Sequence, residues 1–97
     1  MTQLTPYLDH LRSILTAGLS PSVLHIADES HQHHSHFSSG YTDGTHLNLT
    51  IVSEAFNGLS LVARHRLVNT LLAGELKDRI HALKLALHTP HDYTGGQ

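Results

Sequence analysis

The chain has 97 residues, of which 39% are apolar and 14% are Asp, Glu, Lys or Arg, and its formal charge is −2 with histidine neutral. That length suits one domain with a modest core, and the composition excludes both a disordered polyelectrolyte and a coiled coil. No apolar run reaches the ~20 residues of a membrane-spanning helix, and Met1-Thr2-Gln3-Leu4 lacks the basic and apolar stretches of a signal peptide. A soluble, cytoplasmic protein with no membrane partner is expected.

Thr5-Pro6 is an N-cap followed by proline at the first helical position, and Leu8, Leu11, Ile14 and Leu15 recur at helical spacing. The pattern predicts a helix over about residues 4–17, stopped by Gly18. Residues 22–28 read as a strand with Leu24 and Ile26 on one face. Residues 29–45 lose all periodicity and carry His31, His33, His34 and His36; a loop this long in a small domain is functional or disordered.

His46 to Ser53 alternates strictly, with Leu47, Leu49 and Ile51 on one face and Asn48 and Thr50 on the other. After a turn-like connector, Ser60 caps a second long helix from Leu61 to Leu72 or Leu76, with Leu61, Leu67, Val68, Leu71 and Leu72 expected on its core side. Residues 80–88 alternate again, placing His81, Leu83, Leu85 and Leu87 together. Thr89-Pro90 repeats the cap-plus-proline start and predicts a last short helix to Tyr93, before a tail at 94–97.

The predicted order is therefore α-β-β-α-β-α in a single domain, residues 1–93. A right-handed crossover makes the second and third strands parallel, and the first two pair antiparallel around the long loop. This is an α+β fold, a three-stranded mixed sheet in the order 1-2-3, with helices on one face over Leu47, Leu49 and Ile51.

Cysteine is absent and histidine occurs eleven times. The chain's own thiolates therefore cannot form disulfides, act as nucleophiles or hold a metal cluster. Asp28-Glu29-Ser30-His31 sets a carboxylate, a hydroxyl and an imidazole close in sequence, but no nucleophile elbow accompanies it, and neither a Walker A nor a dinucleotide glycine pattern is present. The chain reads as non-enzymatic.

The segment FNGLSLVARHRLVNTLLAGEL followed by RIHALKLALHTP, with DESHQH and THLNLTIVSEAF upstream, resembles the BolA-like family over about residues 5–93. The resemblance implies a fold like a type II KH domain. It also implies partnership with a CGFS-type monothiol glutaredoxin, as a heterodimer that shares a two-iron two-sulfur cluster in iron handling. The alternative it implies is DNA binding as a stress and morphology transcription regulator.

His81 falls on the family's C-terminal cluster-binding histidine, and His33 on its loop histidine, within Glu29-Ser30-His31-Gln32-His33. An isolated histidine on an apolar face is more often a satisfied core residue; the family position reverses that reading for His81. Spacing alone does not select the loop ligand, so His31, His34 and His36 stay as alternatives to His33. Imidazole suits iron, and two histidines on one iron raise its reduction potential relative to four thiolates. The thiolates must then come from glutaredoxin and glutathione, and no cluster is expected in the isolated chain.

Arg64, His65 and Arg66, with Lys77, Arg79 and Lys84, are the candidates for a positive face on duplex DNA; the bland reading is the solvated flank of a helix. Three positions depart from the family pattern. Leu47 replaces its Phe and Gly74 a helix-forming residue, both expected to alter packing only, while Tyr93 replaces its Trp at a partner contact. The connector holds Gly58 but no GxxG, which argues against clamping RNA there.

Overall fold

The computed structural model describes residues 5–30 and 43–93. Thr5 caps helix α1 (Pro6–Leu19), its hydroxyl accepting from the Leu8 amide at 3.2 Å. Leu8, Leu11, Leu15 and Leu19 form the buried stripe. The helix passes through Gly18, the expected stop, and ends at Ser20, which adopts φ 44° while its N–H bonds Thr16. Gly18 serves another purpose: a Cβ there would stand 2.8 Å from both methyls of Leu71, so glycine lets α1 approach the second helix.

Strands β1 (Val23–Asp28), β2 (His46–Val52) and β3 (Ala82–His88) form one sheet in the order β1-β2-β3. β1 and β2 are antiparallel, from Val23 opposite Val52 to Asp28 opposite Leu47. β2 and β3 are parallel, from His46 beside Ala82 to Val52 beside His88. Leu47, Leu49 and Ile51 are buried as the alternation requires, and Leu83, Leu85 and Leu87 lie beside them on the same face. The opposite face carries His25, Asn48, Thr50 and Lys84.

A 3-10 turn at Glu54–Phe56 drops Phe56 into the core with no exposure, and Gly58 turns the chain at φ 77°. The predicted second long helix divides into α2 (Leu61–Leu71) and α3 (Ala73–Asp78) at Leu72, whose ψ of 15° lies outside the helical range. Leu72 itself is fully buried at the break. Val68 and Leu72 meet the sheet, whereas Leu61 is 64% exposed, contrary to its expected place on the core side. It lies seven residues before Val68 on the same stripe, about 10 Å farther along the axis and beyond the packed layer.

The third strand starts at Ala82, not at residue 80. Ile80 is buried, but its amide and that of Arg79 both bond the Glu75 carbonyl, which keeps this stretch on α3 rather than in the sheet. The expected last helix is a single turn, closed by the Tyr93 N–H on the Thr89 carbonyl at 3.0 Å.

In a three-stranded sheet β1 and β3 are both edges, whose outward carbonyls need partners. Arg12 donates to Leu24 at 3.4 Å on one edge, and Arg64 to Leu87 at 3.2 Å on the other.

Candidate functional site

The loop that bears the histidines springs from one end of the sheet, where β1 stops and β2 and β3 begin. Both of its stems are pinned there. On the outgoing side, Asp28 closes an Asx turn, its Oδ1 accepting from the Ser30 amide at 2.9 Å and from the Ser30 hydroxyl. Its Oδ2 reaches across to accept from the Gly44 amide on the returning stem at 3.1 Å. The Ser30 hydroxyl, 1% exposed, accepts in turn from the amides of Thr45 at 2.9 Å and His46 at 3.2 Å. The carboxylate and hydroxyl that resembled part of a catalytic triad thus tie the two ends of the loop together.

The returning stem is bound to β3 as well. The buried Thr45 carbonyl accepts from the amides of His81 at 2.7 Å and Ala82 at 3.0 Å. His81 is therefore exposed just ahead of the strand, not on its apolar face beside Leu83. Its ring lies beside that of half-buried His46, with centroids 6.1 Å apart and planes inclined by 15°. The Thr45 hydroxyl stands 3.1 Å from His46 Nδ1. In the sequence His46 only begins an alternating strand; the parallel register, His46 beside Ala82, is what sets it against His81.

His31, His33, His34 and His36 lie outside the described residues. Among the described residues no three His, Asp or Glu side chains converge as a metal site. The described imidazoles at this end are those of His46 and His81, with no thiolate beside them, and imidazole is a ligand that suits iron.

The basic candidates are not brought together. The Arg64 side chain is only 12% exposed, and its guanidinium donates to the carbonyls of Leu59 and Leu87 and, at 3.1 Å, to Asp92. His65 donates Nδ1–H to the Leu61 carbonyl at 2.8 Å. Arg79 pairs with Asp43 and stacks on Tyr7, its Cζ 3.6 Å from the ring centroid. Arg66 and Lys77 are exposed on the helical layer, and exposed Lys84 stands on the far side of the sheet. A single positive face made of all six is absent.

Two groups near these arginines titrate away from their ordinary values. Desolvation raises Asp92, but hydrogen bonds from Arg64 and from the Thr89 amide and hydroxyl, with the Arg64 charge, outweigh it and hold the carboxyl below 3.8. Burial, a 2.6 Å hydrogen bond to Glu75 and the Glu75 charge push the Tyr7 phenol well above 10.0, with Arg79 opposing.

A family model described as BolA-like protein matches residues 15–92. The chain belongs to the BolA family. The solved BolA domain of SufE1 from Arabidopsis thaliana superposes with a TM-score of 0.82 at 42% identity, covering 94% of this chain and 100% of that domain. SufE-like protein 1, chloroplastic/mitochondrial, of the same plant is 46% identical over 84 residues, 82% of this chain but 23% of that protein. This BolA chain thus spans less than a quarter of that longer relative. The DNA-binding transcriptional regulator BolA of Vibrio cholerae is 39% identical over 85 residues, 88% of this chain and 76% of that protein.

Proposed function

We propose that this BolA chain is a non-enzymatic partner of a CGFS-type monothiol glutaredoxin, co-ligating a two-iron two-sulfur cluster in iron-sulfur homeostasis. His81 and a loop histidine, His33 ahead of His31, His34 and His36, are the ligands. The observation that carries the reading is the pinned loop: Asp28 and Ser30 hold both stems at the sheet end where His81 is exposed. A chain without cysteine supplies no thiolate, so glutaredoxin and glutathione furnish them. Such a cluster would supply one-electron chemistry at a potential above that of an all-thiolate site. The chain's own part is to offer imidazoles from a fixed rim.

Co-expression with a CGFS-type glutaredoxin, followed by visible absorption and circular dichroism of the complex, tests this. His81→Ala is expected to abolish the mixed-cluster spectrum with the fold intact, and His33→Ala to shift it or make the cluster labile. Wild-type spectra from both variants would overturn the ligand assignment.

DNA binding is the second reading. It is favoured by the similarity to the DNA-binding transcriptional regulator BolA of Vibrio cholerae and by the exposed Arg66 and Lys77 on the helical layer. Their two charges make a small electrostatic footprint, which supports weak, salt-sensitive binding.

A further inference from the structure

A run of contacts next to the imidazole pair has no part in the ligand assignment. Arg79 donates Nε and Nη2 to the Asp43 carbonyl at 3.3 and 3.2 Å, and Nη2 also to the Asp43 carboxylate. The other Asp43 oxygen accepts from the Thr5 hydroxyl at the start of α1, at 2.5 Å. Beneath the guanidinium lies Tyr7, whose hydroxyl donates to Glu75 of α3. Next to Asp43, Gly44 adopts φ 75° directly over that ring; a Cβ there would come within 2.3 Å of Tyr7.

These contacts converge on the returning stem of the histidine loop. Asp43 is held by Arg79, Gly44 by Asp28, Thr45 by Ser30, and the Thr45 carbonyl takes the His81 amide. Arg79 is also two residues before His81, with its own amide fixed on Glu75 at 2.9 Å. One side chain therefore ties the stem that carries His46 to the stretch that carries His81. The arrangement calls for arginine: the planar fork meets a carbonyl and a carboxylate of one residue while its face covers an aromatic ring.

We propose that Arg79 is a positioning residue: through Asp43 and Tyr7 it latches the returning stem so that His46 and His81 stay side by side. Its consequence for a metal, presentation of a loop histidine and His81 to one iron, rests on the cluster reading. The latch itself does not.

The free protein tests the latch by amide exchange and by the nuclear Overhauser contact between the two rings. In Arg79→Gln the His81 and Ala82 amides, both bonded to Thr45, should exchange about tenfold faster or more, and the ring contact should fade. Protection at Leu49 and Ile51 should be retained. Arg79→Lys keeps the charge without the fork and should fall between. Unchanged exchange and an unchanged ring contact in Arg79→Gln would overturn the latch. So would equal acceleration at Leu49 and Ile51, the mark of global destabilisation only.

With glutaredoxin present, Arg79→Gln should still bind the partner but give altered cluster dichroism and a cluster lost several-fold faster. Wild-type dichroism and lifetime in that variant would refute the positioning role. If the wild-type chain forms no mixed cluster at all, the cluster reading falls, and the exchange data on the free chain decide the latch independently.

Discussion

Replacing Ser30 by alanine removes one oxygen that serves three partners. The buried Thr45 amide loses its acceptor at 2.9 Å, and the amide of half-buried His46 loses its acceptor at 3.2 Å. Asp28 keeps the Ser30 and Gly44 amides, so its carboxylate is not orphaned. An unsatisfied buried donor costs about 1–3 kcal/mol, and water can reach the His46 amide more readily than that of Thr45. We therefore expect a loss of about 2–3 kcal/mol, a large share of the ~5–15 kcal/mol that a domain of this size possesses. With an unfolding entropy of roughly 0.2 kcal/mol/K for this length, Tm should drop by about 10–15 °C. Urea titration measures the loss directly, provided the slope with denaturant stays unchanged. Ser13→Ala is the control: its exposed hydroxyl bonds the Asp9 carbonyl at 3.2 Å within α1, and its removal should change stability by less than about 0.5 kcal/mol. A Ser30→Ala chain as stable as Ser13→Ala would refute the clasp.

Gly44→Ala combines positive φ with a clash on Tyr7 and should destabilise by about 2 kcal/mol or more, whereas Gly74→Ala, inside α3 with open space around it, should stabilise by about 0.5–1 kcal/mol in the same titration. Because the Asp92 carboxyl is held below 3.8, its contribution is present above that pH and disappears as the pH falls through the lower folded value; Asp92→Asn should remove this part of the acid dependence of unfolding. The raised Tyr7 phenol has the opposite sign: its contribution is complete below pH 10.0 and declines above it, and Tyr7→Phe should flatten that alkaline loss. If duplex DNA binds the helical layer, Arg66→Ala should lower the slope of log K against log salt by about 1. Arg64→Ala should instead appear as lower stability in urea, since its guanidinium is spent on Leu59, Leu87 and Asp92.

Local periodicity found the three strands and the first helix, though α1 runs past Gly18 and β3 starts at Ala82. Leu47, Leu49 and Ile51 alternate with polar neighbours, and a strand that buries one face cannot slip by one residue without exposing it. The crossover rule then made β2 and β3 parallel. The family was legible too, because RHRLV and HAL are local strings. Periodicity misplaced Leu61 and His81 because it repeats without knowing where a packed layer ends. Leu61 shares a stripe with Val68 yet overhangs the core, and His81 keeps the phase of Leu83 yet precedes the strand.

The site divides along the same line. Composition alone showed that the chain has no thiolate of its own, so the thiolates of any cluster bound here would come from elsewhere. The pairing of His46 with His81, 35 positions apart, followed only from the parallel register, and the Arg79–Asp43 pair only from the meeting of Asp43 with the residue that caps α3. Six basic residues looked equivalent as letters. Folding spent Arg64 on the β3 edge and Arg79 on the loop stem, and it put Lys84 on the other side of the sheet from Arg66 and Lys77. A residue's type is written in the sequence, but whether its charge reaches solvent depends on the carbonyls and carboxylates that distant segments bring to it, and tertiary structure alone decides that.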